Sequence, residues 1–190
     1  RRLQEAFPDD PIVAEEDAGA LREPENVRML ERVRQFTGRF QQGVTPDLLC
    51  DWIDLGNGKV RERYWTLDPI DGTKGFLRDE QYAVALALVE RGEVKVGALA
   101  CPAFLDLDGR RGVLFVAVRG EGAEMGALSG GETVPIRVAL DRVPENWRFV
   151  ESVESAHGNH ELQKAVARSV GIRASSLRMD SQAKYGAVAR

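Results

Sequence analysis

The sequence predicts a mixed α+β or layered α/β fold, and two observations point there. Antiparallel strand pairs sit among helices in the first two thirds of the chain, and a strand–helix–strand–helix order closes it. Arg1 to Phe7 reads as the end of a helix, stopped by Pro8-Asp9-Asp10-Pro11. Pro11 to Glu15 reads as a short strand around Ile12-Val13-Ala14, running into Glu15-Glu16-Asp17. Pro24 suits a helix first turn, and Val27, Leu30, Phe36 and Phe40 then recur at helical spacing. Gln41 to Asp51 reads as a polar connection. Tyr64 to Leu67 is rich in aromatic and β-branched residues, predicting a strand that ends at Asp68-Pro69. Tyr82 to Val89 turns at Glu90-Arg91-Gly92-Glu93 and returns as Val94 to Ala100. Val113 to Val118 turns at Arg119-Gly120-Glu121-Gly122 and returns as Ala123 to Leu128. Glu132 to Val138 and Trp147 to Val153 read as further strands. His160 to Val170 reads as an amphipathic helix with Leu162, Ala165, Val166 and Val170 on one side, stopped by Gly171. Leu177 to Met179 reads as extended and Gln182 to Ala189 as helical.

Composition narrows the function classes. Of 190 residues, 43% are hydrophobic and 29% charged, which excludes a disordered or collagen-like chain. The longest apolar run, Tyr82 to Val89, is far short of the roughly 20 residues of a membrane helix. Net charge is −4 with no dense Lys/Arg block, so duplex nucleic acid is not an expected partner, whereas a small phosphorylated ligand is compatible. Two cysteines, Cys50 and Cys101, lack CxxC spacing and read as reduced thiols in a cytoplasmic protein. The chain opens on Arg1-Arg2 within a predicted helix and stops at Arg190 after another, so an interior piece of a longer protein is expected.

The most informative stretch is Trp65-Thr66-Leu67-Asp68-Pro69-Ile70-Asp71-Gly72-Thr73-Lys74-Gly75-Phe76. A strand delivers Asp68 to its end, and Pro69 fixes φ and bends the chain so that Asp71 returns toward the same point. Two carboxylates and the Ile70 carbonyl between them are hard oxygen donors, which suit Mg²⁺. Gly72 admits a ligand close to the backbone, and N–H groups at Gly72 and Thr73 are placed to meet an anion. A bare Asp-x-x-Asp is most often a capped turn; the Pro, Gly and Thr after an apolar strand shift the reading toward a metal-bridged phosphate. An acidic triplet such as Glu15-Glu16-Asp17 is usually a solvated loop, but beside a second carboxylate cluster it becomes a candidate for the remaining ligands of a site with two or more Mg²⁺.

These residues carry a family resemblance. Ala14-Glu15-Glu16-Asp17 followed by Asp68-Pro69-Ile70-Asp71-Gly72-Thr73 resembles the inositol monophosphatase superfamily of Mg²⁺-dependent, lithium-sensitive phosphomonoesterases. Within it, Lys74-Gly75-Phe76-Leu77-Arg78, His157-Gly158-Asn159-His160-Glu161-Leu162-Gln163 and Asp180-Ser181-Gln182-Ala183-Lys184-Tyr185 are similar to the 3′(2′),5′-bisphosphate nucleotidases. Ala14 stands where the family often has Gly. The resemblance implies a layered α-β-α-β-α sugar-phosphatase-like fold, incomplete at both ends. Residues 1–145 would be an N-terminal α+β domain carrying the metal site and residues 146–190 the start of a C-terminal α/β domain.

It further implies that Glu15, Asp68, Asp71 and the Ile70 carbonyl bind Mg²⁺. Thr73 with Glu15 would orient the attacking water, with Asp71 also in the catalytic set. Gly72 and Thr73 amides would hold the scissile phosphate, and His157, Ser181 and Lys184 would contact the nucleotide. The implied reaction removes the 3′-phosphate of adenosine 3′,5′-bisphosphate, and also of 3′-phosphoadenylyl sulfate, with no covalent phosphoenzyme. The alternatives are an inositol phosphate phosphatase of the same superfamily and a non-catalytic metal- or nucleotide-binding fragment. The expected partner is the small phosphorylated nucleotide, with no membrane, and a monomer when complete. The family's further metal-binding Asp and substrate-binding Arg lie outside this sequence, so these residues alone are expected to be weakly active or inactive.

Overall fold

The computed structural model describes residues 1–106, 108–140, 143–154 and 159–190. The chain forms two compact units. The first comprises Arg1–Pro69 and Leu86–Lys95, the second Ile70–Ala85 and Val96–Arg190. The chain passes from the first to the second within one strand, between Pro69 and Ile70.

The first unit holds helices α1 (Arg2–Ala6), α2 (Gly19–Arg22), α3 (Val27–Gly38) and α4 (Pro46–Asp54), with strands β1 (Ile12–Ala14) and β2 (Arg63–Asp71, entering the second unit at Ile70). A 3-10 turn, Pro24–Asn26, leads into α3. β1 pairs in parallel with β2, in the register Ile12↔Trp65, Val13↔Thr66 and Ala14↔Leu67. On its other side β1 is held by the segment around Gly56 to Gly58: Ala14 N–H donates to the Gly56 carbonyl and Gly58 N–H to the Ile12 carbonyl, both at 2.8 Å. With both edges hydrogen-bonded, so short a strand keeps its place. Ile12 and Trp65 are buried, and Phe7 stacks on Trp65 with ring centroids 5.0 Å apart.

Two elements here differ from the sequence reading. The stretch read as a polar connection, Gln41 to Asp51, instead holds residues 46–51 of α4, which runs on to Asp54. Its start signals are ordinary: the Thr45 hydroxyl accepts from Leu48 N–H at 3.2 Å, and Pro46 occupies the first turn. Leu49 and Cys50 are its buried face, but Asp47, Asp51 and Asp54 dilute the apolar pattern. The second difference is β2, which does not end at Asp68-Pro69 but stays extended through Asp71. Proline's fixed φ is compatible with extended backbone. The chain reverses instead at Gly72, whose φ of +85° is left-handed.

The second unit is built on an antiparallel meander. β3 (Ala83–Glu90) and β4 (Glu93–Leu105) begin in one unit and end in the other; β5 (Arg111–Val118), β6 (Gly122–Ala127) and β7 (Thr133–Ile136) lie wholly in the second. Within it the strand order is β4-β5-β6-β7. The registers Leu99↔Phe115, Cys101↔Val113, Phe115↔Met125 and Val113↔Ala127 set alternate residues on one face. That face is the core: Cys101, Phe104, Val113, Phe115 and Met125, joined by Ala83, Met179 and Ala183. Phe104 and Phe115 meet edge to face at 5.5 Å.

The tail adds β8 (Val150–Glu151), α6 (His160–Ser169), β9 (Leu177–Arg178) and α7 (Ala183–Ala189). β8 is much shorter than the strand read over Trp147 to Val153. It pairs in parallel with β9 through Val150↔Leu177 and Glu151↔Arg178. The apolar side read for α6 is not a buried one, since Leu162, Val166 and Val170 are all exposed. Among the described residues no helix is long and apolar enough to cross a membrane.

α7 lies flush on the core. A Cβ at Gly186 would stand 2.6 Å from Phe115 Cε2. Gly186→Ala sets a helix-propensity gain of about 1 kcal/mol against an overpacking cost of about 1–3 kcal/mol. Phe115 is wedged against Phe104, so the cost dominates, and the expected outcome is a net loss of about 1–2 kcal/mol in denaturant unfolding. An unchanged midpoint would show that α7 is not seated on Phe115.

Candidate active site

Glu15 follows the last residue of β1 and Asp71 is the last residue of β2, while Asp68 lies within β2. In the first unit, Glu15 N–H donates to the Leu67 carbonyl at 3.2 Å, so Glu15 leaves the C-terminal end of β1 beside Asp68, just past the paired register. Glu15 is exposed and Asp68 half-buried. The rest of the acidic triplet divides its work. Asp17 Oδ1 accepts from Gly19 N–H at 2.7 Å and so closes the turn into α2. The same turn is tied to α4, because Ala18 N–H donates to Asp54 Oδ1 at 2.9 Å and Arg22 pairs with Asp54. Those hydrogen bonds, led by that from Ala18, hold the Asp54 carboxyl below its ordinary range.

In the second unit a cavity of about 460 Å³ is lined by Asp71, Gly72, Thr73, Ser181, Gln182 and Lys184, among others. Short helix α5 (Thr73–Leu77) starts at its edge, with Gly72 as the residue before the first turn. Gly72 is required there twice over. Its φ is left-handed, and a Cβ would stand 2.8 Å from Ser181 Cβ and 3.1 Å from Ser181 N. Ser181 is buried and itself left-handed, at φ +68°. Its hydroxyl accepts from Ala183 N–H at 3.1 Å, and its carbonyl accepts from Lys184 Nζ at 2.8 Å. Gln182 N–H donates to Asp71 Oδ2, tying the segment before α7 to the end of β2. Thr73 Oγ1 donates to the Ile70 carbonyl at 3.3 Å.

The structure thus brings Asp71, Gly72, Thr73, Ser181 and Lys184 to one cavity, and Glu15 and Asp68 together where the β1–β2 pairing ends. His157 lies outside the described residues. The ring Nε2 of the neighbouring His160 lies 3.1 Å from the carbonyl of Ser152, and His160 itself does not line the cavity. Cys101, fully buried, has its thiol pushed up to about 12, by burial first and by the negative charge of Asp71 second; it stays protonated at neutral pH and is no nucleophile. Asp180 and Gln182 were quoted within a motif but given no role by the sequence reading. The signal for them is local only in part, since Asp180 simply precedes the buried Ser181, whereas Arg78, whose guanidinium pairs with it, lies 102 residues away.

Within the first unit Glu15 and Asp68, and within the second Asp71, carry acceptor-only carboxylate oxygens, and Ile70 carries a carbonyl; each is the oxygen donor type that Mg²⁺ takes. Among the described residues no three of His, Cys, Asp and Glu are gathered into one group that could hold a metal ion.

The approach to Ser181 is fixed from below. Leu177 N–H donates to the Phe149 carbonyl at 2.7 Å and Met179 N–H to the Glu151 carbonyl at 3.0 Å. The Glu151 carboxylate, only 4% exposed, accepts from Ser176 Oγ at 2.5 Å and from Arg178 Nε at 2.8 Å.

The inositol monophosphatase family model matches residues 1–190, and the chain belongs to that family. It is 42% identical over 202 residues to the 3′(2′),5′-bisphosphate nucleotidase 1 of Arabidopsis thaliana, covering 94% of this chain and 57% of that protein. It is 38% identical over 207 residues to the 3′(2′),5′-bisphosphate nucleotidase of Schizosaccharomyces pombe, covering 99% of this chain and 58% of that one. The chain therefore spans little more than half the length of these relatives. Among solved structures, an IMPase of Thermotoga maritima aligns over 98% of this chain and 52% of its own, with TM-score 0.58 and 22% identity. SuhB of Mycobacterium tuberculosis aligns over 99% and 56%, with TM-score 0.56 and 21% identity. Both show the mixed α/β fold expected from the sequence.

The Ser176 hydroxyl, and after it Arg178, hold Glu151 below its ordinary 4.5. Because the folded value is the lower one, the unfolded chain binds this proton more readily. The contribution of Glu151 is fully present above about pH 4.5 and is lost as pH falls through the folded value. Urea unfolding of Glu151→Gln should therefore show a flatter loss of stability below about pH 4.5 than the unsubstituted protein. Parallel pH profiles would contradict the assignment.

Proposed function

We propose that the protein is a Mg²⁺-dependent phosphomonoesterase that removes the 3′-phosphate of adenosine 3′,5′-bisphosphate, and also that of 3′-phosphoadenylyl sulfate. The observation that carries this reading is the single cavity lined both by Asp71, Gly72 and Thr73 and by Ser181 and Lys184. Its volume, about 460 Å³, falls in the range of roughly 300–1,000 Å³ found for small-molecule sites. The similarity to curated bisphosphate nucleotidases supports the choice of substrate class.

Glu15, Asp68, Asp71 and the Ile70 carbonyl would hold Mg²⁺. When bound, the ion supplies Lewis-acid charge toward phosphoryl oxygens and lowers the pKa of water. The chain's own residues do the rest. The Gly72 and Thr73 amides, at the start of α5, receive oxygens of the scissile phosphate. The Thr73 hydroxyl, with Glu15, orients the attacking water. Lys184 and Ser181, with His157, take the nucleotide and its second phosphate. Water attacks phosphorus directly as the bond from phosphorus to the 3′-oxygen breaks; the 3′-oxygen leaves with a proton from that water, so inorganic phosphate and the 3′-hydroxyl nucleotide are released and no phosphoenzyme forms. Residues 1–145 would form the N-terminal α+β domain that carries the metal site, and residues 146–190 the start of a C-terminal α/β domain.

Inorganic phosphate release by the full-length protein and its variants from adenosine 3′,5′-bisphosphate and from inositol monophosphate, with Mg²⁺ and after chelation, tests this. We expect kcat/KM to favour the nucleotide by about tenfold or more, the difference one well-made polar contact provides. Chelation should abolish turnover and Mg²⁺ restore it. Asp71→Asn and Glu15→Gln should each cost several orders of magnitude in kcat. Equal turnover of the inositol phosphate would move the protein to the other branch of the family. Near-normal rates in either variant would remove the catalytic assignment.

A further inference from the structure

Arg78 closes α5, and its guanidinium reaches carboxylates on three separate segments of the second unit. Nε donates to Glu80 at 2.8 Å, Nη1 to Glu154 at 3.0 Å, and Nη2 to Asp180. Lys74, on the same helix, also reaches Glu154, at 3.0 Å. Of the three acids Asp180 stands apart. Its side chain is 6% exposed, against 24% for Glu154 and 51% for Glu80. A buried carboxylate needs a paired charge, and among the described residues the ion pair recorded for Asp180 is with Arg78. Asp180 is also pressed from the side: a Cβ at Gly75 would stand 3.0 Å from Asp180 Cβ. It immediately precedes Ser181, which packs on Gly72, and Gln182, whose N–H meets Asp71.

We propose that Arg78 is a positioning residue: by anchoring Asp180, it holds Ser181 and Gln182 against the Asp71–Thr73 loop and so sets how tightly a phosphorylated nucleotide is bound. Arginine is needed because its planar fork serves Asp180 and Glu154 at once, which a lysine ammonium on a single stem does not. As a statement about affinity the proposal rests on the function given above; as a statement about the Asp180–Gln182 segment it does not.

The two parts are tested together with the variants R78A/D180N and R78K. The double variant removes both members of the pair and leaves no unpaired buried charge, so it separates positioning from folding. Four quantities are read on the full-length protein: the melting temperature, amide hydrogen exchange at Gln182, and kcat and KM for adenosine 3′,5′-bisphosphate. We expect R78A/D180N to melt with the unsubstituted protein, while Gln182 exchanges about tenfold faster. KM should rise about tenfold with kcat changed far less. R78K should fall between the two. Unchanged Gln182 exchange in the double variant overturns the proposal, as does a KM that follows the melting temperature through both variants. If the unsubstituted protein does not hydrolyse the nucleotide, the proposed function fails, and Gln182 exchange alone decides the role of Arg78.

Discussion

The candidate site depends on the approach of Gly72 to Ser181. Both residues have left-handed backbones, and any side chain at 72 would collide with Ser181. For Gly72 that conformation is free of steric cost, whereas for Ser181 it costs about 1–2 kcal/mol. The cost is offset locally. The Ser181 hydroxyl and carbonyl are both hydrogen-bonded, to Ala183 and Lys184, and the next amide is taken by Asp71. A strained turn fixed this firmly presents the same atoms to any ligand in the cavity.

Three supports converge on that turn. From one side, α7 is seated on Phe115, so the face of the meander determines where the helix begins. From below, the β8–β9 pair and the buried Glu151 deliver the chain to Asp180. From the other side, Arg78 and Gly75 bring α5 against Asp180. Apolar packing sets position to within a side-chain width; the hydrogen bonds and ion pair then set orientation. In the first unit the parallel pairing of β1 with β2 does the corresponding work for Glu15 and Asp68.

Much of this was legible where the chemistry is compact in sequence. Ile12-Val13-Ala14 and the hairpin strands alternate or run apolar between turn residues, and they fold as read. Asp68-Pro69-Ile70-Asp71-Gly72-Thr73 holds its donors within one short stretch, and the family it pointed to is the family the chain belongs to. The turn within it was misplaced, because proline signals a bend while its φ also suits a strand; the reversal belongs to Gly72. α4 was missed because three aspartates mask two buried apolar residues behind a sound Thr45-Pro46 start. The Arg78–Asp180 pair was beyond sequence reasoning, since its members are 102 residues apart and only the fold brings them together.

On the function proposed here, Gly72–Thr73 and Ser181–Lys184 act as one phosphate-handling surface. Amide NMR titration with the reaction products, adenosine 5′-phosphate and inorganic phosphate, in the presence of Mg²⁺ tests it most directly. The account predicts that the Gly72, Thr73, Ser181 and Gln182 resonances move together along one binding curve. Resonances that stay still at saturating ligand, or shifts confined to the separate pocket between α6 and β9, would contradict it.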